Sequence, residues 1–310
     1  MTARRLAASI FLLLWLPLAA LADEAGDWLA RVGPALRGLD YQGTLVVVAE
    51  GRVETLRVFH AAGGDRERLV ALSGPPREVI RDGQRVMSIG AGEPAVAYDL
   101  DQAGRWSVAL ALSEAAGLTG YRARLAGEGR VAGHAAVRVE VLADDAWRYG
   151  YRLWLERESA LPLRVDLLDR GGRVVEQVAF TELQLGVAPD EADLRPSSGA
   201  PLQRVAGPPP AGNGDVAWRV PAPPPGFRLR AARPLPGGGA HLLYGDGLAS
   251  VSVYVEPVAN ALRGSLSQQR GAVHARSFWL DGWQVLALGK VPPATVEHFA
   301  RTVRPVPPGG

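Results

Sequence analysis

Apolar and polar residues alternate along much of this chain with the two-residue period of strands that have one wet face. Val53, Leu56 and Val58 trace one such apolar face, and Tyr151, Leu153 and Leu155 trace another. Arg57, Arg152 and Glu156 point the other way. The strands come in pairs around short turn-forming dipeptides. Thr44–Ala49 and Arg52–Phe59 flank Glu50-Gly51, Arg77–Arg81 and Gln84–Ile89 flank Asp82-Gly83, and Leu163–Asp169 and Arg173–Phe180 flank Gly171-Gly172 or the residues just before them. Further on, Leu242–Tyr244 and Leu248–Val255 flank Asp246-Gly247, and His274–Leu280 and Trp283–Leu288 flank Asp281-Gly282. Such dipeptides supply the positive φ angles of tight hairpins. These connections are too short for parallel crossovers, so the pattern predicts antiparallel sheet.

Two stretches carry helical spacing instead. In residues 27–37, Trp28, Leu29, Val32 and Leu36 share a face, with Pro34 weakening the pattern. In Pro293–Val303 a proline suits the first turn, and Val296, Phe299, Ala300 and Val303 make one apolar stripe. The fold class expected is α+β, mainly antiparallel β.

Composition divides the chain. Arg4 and Arg5 precede an apolar run from Leu6 to Ala22 that closes on a small-x-small pattern, the signature of a cleaved export signal over residues 1–22. A spanning helix is disfavoured, because it takes about 20 apolar residues without a processing site. Nine of the 24 prolines crowd into Pro196–Pro225. Proline fixes φ and removes donors, so the stretch reads as a semi-extended linker interrupted by a short strand at Val216–Val220. The expected organisation is a large domain over 23–195, a linker over 196–214 and a small α+β domain over 215–306.

Charge and cysteine narrow the function. The first 22 residues hold two of the 34 basic residues and no acid, so the rest carries 32 of each sign. Lys290 is the only lysine, and the arginine excess does not build a one-signed surface. Without cysteine there are no disulfides, thiolate metal sites, cysteine nucleophiles or N-terminal lipid anchor. An exported, soluble, unanchored chain of this kind points to the periplasm.

Catalytic signatures are missing. His60, His134, His241, His274 and His298 form no HExxH and no i, i+4 pair, so no metal is expected. There is no GxSxG and no SxxK. Gly245-Asp246-Gly247 lies between strands and lacks the helix N-terminus of a dinucleotide loop. Asp144-Asp145 and Asp190-Glu191 are adjacent acids, which are usually solvated rather than convergent on a cleft. The reading is therefore a non-enzyme without cofactor. In "GDRERLVALSGPPREVIRDG" (64–83) the charges alternate in sign, which argues against a nucleic-acid patch and for the solvent side of paired strands. Seven tryptophans outside the signal fill cores or line an apolar pocket or groove, and the sequence leaves this open.

"LDYQGTLVVVAEGRVETLRVFHAAGGDRERLVALSGPPREVIRDG" (39–83) resembles the first strands of the RseB/MucB family. "RYGYRLWLERESALPLRVDLLDRGGRVVEQVAFTELQLG" (148–186) is similar to its second signature. "WRVPAPPPGFRL", "YGDGLASVSVYVEP" and "GWQVLALGKVPPATVEHFARTV" resemble its small-domain signatures. The likeness spans nearly the whole chain after the signal, and residues 89–124 show no family pattern.

The resemblance implies a LolA/LolB-like open half-barrel with helices across its concave face, followed by a small sheet with a helix. It implies a periplasmic regulator of the sigma-E (AlgU-type) envelope-stress response. Such a protein binds the periplasmic segment of a transmembrane anti-sigma factor of RseA/MucA type and hides it from the site-1 protease. Lipid or lipopolysaccharide acyl chains would release it. On this reading Val251, Val253, Tyr254, Val255, Trp279 and Trp283 are candidates for the partner surface. Leu45, Val47, Val58, Leu153, Leu155 and Val165 are candidates for the lipid cavity, with ordinary core packing an equal alternative for both sets. A lipid or lipoprotein carrier of LolA type is the competing reading, a periplasmic hydrolase is the third, and homo-oligomerisation stays open.

Overall fold

A computed structural model describes residues 18–62, 66–83, 85–90, 95–99, 119–197, 202–204, 215–258 and 265–306. Most of the expected export signal, Trp106 and most of the expected linker lie outside the described residues.

Twelve strands form one sheet among the described residues. They are β1 (Tyr41–Ala49), β2 (Arg52–Ala61), β3 (Arg66–Ala71), β4 (Arg77–Asp82), β5 (Arg85–Gly90), β6 (Ala95–Asp99), β7 (Tyr121–Val131), β8 (His134–Ala143), β9 (Gly150–Glu156), β10 (Pro162–Leu168), β11 (Val174–Leu185) and β12 (Leu202–Arg204). Their spatial order is β12-β6-β5-β4-β3-β2-β1-β11-β10-β9-β8-β7. Two meanders, β1 to β6 and β7 to β11, thus join where β1 pairs with β11, and the outermost strands β12 and β7 leave the sheet unclosed. Every pairing among the described residues is antiparallel except that of β12 with β6, which is parallel, so the sheet is mainly antiparallel as expected. The sheet curls: His134 on β8 reaches the carbonyl of Leu183 on β11, three places away in the order, at 3.3 Å.

Helix α1 (Leu18–Gly38) runs through Pro34 rather than stopping there, and packs against β7 and β8. Its Leu29, Val32 and Leu36 are buried in one apolar cluster with Tyr41, Leu45, Val58, Tyr151, Leu153 and Phe180. Alternation explains the assembly: on β1 every second residue from Tyr41 to Val47 is buried. Val53 breaks the expected face. It stands three residues before Leu56, an odd step, so it points to the outer side and is 61% exposed.

The smaller body holds β13 (Trp218–Arg219), β14 (Arg228–Leu235), β15 (Gly239–Gly245), β16 (Ser250–Pro257), β17 (Ser267–Arg270), β18 (Val273–Leu280), β19 (Trp283–Gly289), helix α2 (Pro293–Thr302) and β20 (Arg304–Pro305). Six of these strands make an antiparallel sheet in the order β14-β15-β16-β19-β18-β17, and β13 pairs with β20. The strand expected at Val216–Val220 is thus only two residues long. Val296, Phe299, Ala300 and Val303 are all buried, as the helical stripe predicts. The Glu50-Gly51 and Asp281-Gly282 turns carry positive φ at both residues, the mirror-image geometry that suits the twist of a two-residue hairpin.

The charged stretch 64–83 is only partly a solvent face. Arg68, Glu78, Ile80, Met87 and Ile89 lie on the sheet side away from α1, where Ile80, Met87 and Ile89 form a separate apolar cluster. Residues 191–197 lie over it. Arg66 forms two bonds to Glu191, Arg68 donates to the Asp193 carbonyl at 3.0 Å, and Ser197 donates to Glu78 through its amide and its hydroxyl. Ser197, read as part of the linker's start, is therefore tied to the large sheet.

Candidate partner face and inter-sheet seam

The small sheet has two unlike sides. Val251, Val253 and Val255 face α2 and are fully buried beside Val285, Ala287 and Phe299. As candidate partner surface they are corrected by this placement: strand alternation turns them all into the core. Trp283 packs at the edge of that core, its ring 4.9 Å from Trp218 in an edge-on arrangement. Tyr254 and Trp279 take the opposite side, together with half-buried Leu243, Leu286 and Leu288. Trp279 is 37% exposed. Tyr254 stacks flat on His241 at 4.2 Å, and the His241 ring meets the Ser252 hydroxyl at 3.2 Å. Burial, reinforced by the Arg233 charge, holds the His241 pKa below its ordinary value, so the ring stays neutral beside Tyr254. This side is an apolar strip with polar accents, the kind of surface that can take an extended peptide.

All six residues proposed for a lipid cavity lie on the α1-covered side of the large sheet. Leu45, Val58, Leu153 and Leu155 are fully buried, Val47 nearly so, and Val165 packs against the same cluster. The register lines Val47, Val178, Val165, Leu153 and Val139 into one row across five strands. As placed, they form a packed core with α1.

A polar knot joins the two bodies. Arg148, in the lead-in to β9, and Asp246, in the turn after β15, pair at 2.8 Å with both side chains sealed from solvent. Arg148 Nε donates to Asp145 at 3.1 Å, Nη1 also donates to the Thr119 carbonyl at 2.9 Å, and Nη2 donates to the Pro225 carbonyl. The guanidinium lies near the rings of Tyr121 and Phe227, 5.2 and 5.1 Å from their centres. Asp246 accepts from the amides of Leu248 and Ala249 at 2.9 and 2.7 Å, and from the Tyr121 hydroxyl at 3.3 Å. Burial, with the nearby Tyr151 and Asp246, pushes the Tyr121 hydroxyl far above its ordinary pKa, so it remains a donor. Beside the knot, Thr295 donates to the Trp147 carbonyl at 2.7 Å, and the Trp147 and His298 rings lie 5.1 Å apart. Lys290 reaches both oxygens of Glu176 at 2.9 Å.

On the outer side of the large sheet an ionic ladder crosses four strands. Arg124 on β7, Glu140 on β8, Arg152 on β9 and Asp166 on β10 stand opposite one another in sequence. Glu140 takes bonds from Arg124 at 2.6 Å and Arg152 at 3.0 Å, and Arg164 grips Asp166 through two bonds. The histidines are dispersed. His60, His134, His274 and His298 each contact a backbone carbonyl, at Leu39, Leu183, Val291 and Ala222 respectively.

Nothing in the sequence pattern singles out Arg148 or Asp246 as partners. They lie 98 residues apart. Asp144-Asp145 read as a solvated pair, yet Asp145 holds Arg148 while Asp144 meets Arg122 at the surface.

Residues 24–198 match the model for the MucB/RseB N-terminal domain, and residues 212–304 match that for the MucB/RseB C-terminal domain. The chain is 39% identical to the sigma factor AlgU regulatory protein MucB of Pseudomonas aeruginosa over 92% of each chain. The solved complex of Pseudomonas aeruginosa MucA and MucB superposes with a TM-score of 0.75 at 35% identity, over 91% of this chain and 99% of that one. A crystal structure of MucB gives 0.60 at 34% identity, over 91% of this chain and 98% of that one. At nearly equal identity the two structures thus match this backbone unequally. With both family models matched in order along one polypeptide, this chain belongs to the MucB/RseB family.

Proposed function

We propose that this chain is an exported regulator that binds the periplasmic segment of a membrane-spanning anti-sigma factor and shields it from site-1 proteolysis. The observation that carries the reading is the match along both bodies to MucB, whose complex with MucA has a similar backbone. The apolar side of the small sheet around Tyr254 and Trp279 supplies a surface for an extended segment. The arginine-led apolar run before Asp23 supports export to the periplasm, with cleavage near Asp23.

Release would follow when lipid or lipopolysaccharide acyl chains enter the large sheet between α1 and the row that contains Val47, Val165 and Leu153. A lipid acts only through unequal affinity for the bound and released forms. The same α1-covered side also suits a lipid carrier of LolA type. The two readings separate in a pull-down on immobilised anti-sigma periplasmic segment: a regulator is retained and is eluted by lipopolysaccharide, whereas a carrier washes through. Passage of the folded protein in the unbound fraction would remove the regulator reading.

A further inference from the structure

We infer that Arg148 is a positioning residue: its buried pair with Asp246 is a latch that holds the two bodies in the arrangement competent to bind the partner segment. The inference rests on the regulator reading for its consequence and on geometry alone for the latch.

The geometry is demanding. Arg148 spends its Nε and both Nη groups on four separate pieces of chain: Asp145, the Thr119 carbonyl, the Pro225 carbonyl and Asp246. Two of these belong to the approach to the large sheet and two to the smaller body. Gly120 has φ +88, and a Cβ there would stand 2.8 Å from the guanidinium. The chain has therefore made room for this one side chain. Lysine, a point charge without a planar fork, would not serve the four acceptors together.

Such a knot is close to all-or-none. A guanidinium in a low-dielectric seam is tolerated only while its donors are satisfied, and so is a buried carboxylate. Partial opening strands one charge without water or partner, so the seam is either closed with every group met or open with both charges hydrated.

Each end of the latch runs straight into a candidate site. Arg148 is followed by Tyr149 and then β9, whose Tyr151, Leu153 and Leu155 sit in the α1-covered core. Asp246 holds the amides of Leu248 and Ala249, immediately before β16, which carries Tyr254. A shift of β9 that withdraws Arg148 would free the turn that sets the start of β16. Entry of an acyl chain beside Leu153 and departure of a peptide from the Tyr254 side are thereby linked through one bistable contact.

The test uses the full chain with Arg170→Cys and Gln268→Cys as the only cysteines, labelled for energy transfer between the two sheets. It compares Arg148, Arg148→Met and Arg148→Lys, with the synthetic anti-sigma periplasmic segment as the binding probe. With the native latch, one narrow transfer population is expected. Arg148→Met should keep its circular dichroism but spread to lower transfer and bind the segment at least tenfold more weakly. Arg148→Lys should fall between. If Arg148→Met does not fold, Asp246→Asn, which retains an oxygen for the Leu248 and Ala249 amides, takes its place under the same readouts. A native-like transfer population in the latch variant overturns the inference whatever the affinity. A spread population with native affinity overturns it too. Failure of the unmutated protein to bind the segment counts against the regulator reading, while the transfer arm still decides the latch.

Discussion

Arg68 on β3 and Glu78 on β4 form an ion pair at 3.1 Å that is largely shut away from water, with side-chain exposures of 12% and 10%. They lie on the side of the sheet away from α1, yet residues 191–197 cover them and Ser197 completes the carboxylate's set of donors. Removing one partner of such a pair strands the other. Glu78→Leu is expected to cost roughly 3–5 kcal/mol in urea unfolding. Arg68→Met combined with Glu78→Leu should recover most of that, because no charge is then left unpaired. Equal destabilisation by the single and double variants would show that the loss comes from packing.

Acid should weaken the fold through three glutamates. Burial alone would raise the pKa of Glu78, but bonds from Ser197 and Arg68 outweigh it and the net shift is downward. Burial is likewise outweighed at Glu140, by Arg152 and Arg124, and at Glu156, by Ser159 and the Glu158 amide. A carboxylate with a depressed folded pKa contributes stability that is present above its unfolded value near 4.5 and is lost as pH falls through the folded one. Urea midpoints measured from pH 7 down to pH 3 should therefore drop below about pH 4.5. His241 adds a separate limb. Its folded pKa lies below the unfolded value of 6.5, so its contribution is present above that value and fades below it. His241→Phe should flatten the profile between pH 7 and pH 5.5 and leave the acid limb unchanged.

Two residues of the same sheet should separate binding from stability. Trp279→Ala removes an exposed ring on the apolar strip and is expected to lower affinity for the anti-sigma segment about tenfold or more, with unfolding changed by less than about 1 kcal/mol. Val253→Ala removes methyl groups from the α2-covered core and should cost roughly 1–3 kcal/mol. Isothermal titration and urea unfolding of both variants check the contrast. A Trp279→Ala protein that binds like the native one would move the partner surface elsewhere.

Much of the fold was legible because hairpins are local. Glu50-Gly51 and Asp281-Gly282 announce their turns by composition, and the strands beside them follow. Two edge strands show little alternation that a sequence reading can use. In β7 no residue is buried, most positions are exposed, and two glycines and a bulge break its rhythm. In β17, Ser267–Arg270, there is no apolar residue at all. These are edge strands, held by a single neighbour, so little in them needs to be hydrophobic. The apolar candidates could be assigned to strands but not to sides, since parity against an unseen partner decides which face is wet. That is why Val251, Val253 and Val255 read as partner surface in the sequence and belong to the core. Arg148 and Asp246 left no trace in the sequence. A turn aspartate looks the same whether its carboxylate caps only its own loop or also reaches another sheet.

Shielding of the anti-sigma segment can be measured with the protease itself. Site-1 protease is given the anti-sigma periplasmic segment alone, with a saturating amount of this protein, and with both protein and lipopolysaccharide. Cleavage should slow at least tenfold with the protein and recover with the lipid. Cleavage at the same rate in the first two reactions would contradict shielding.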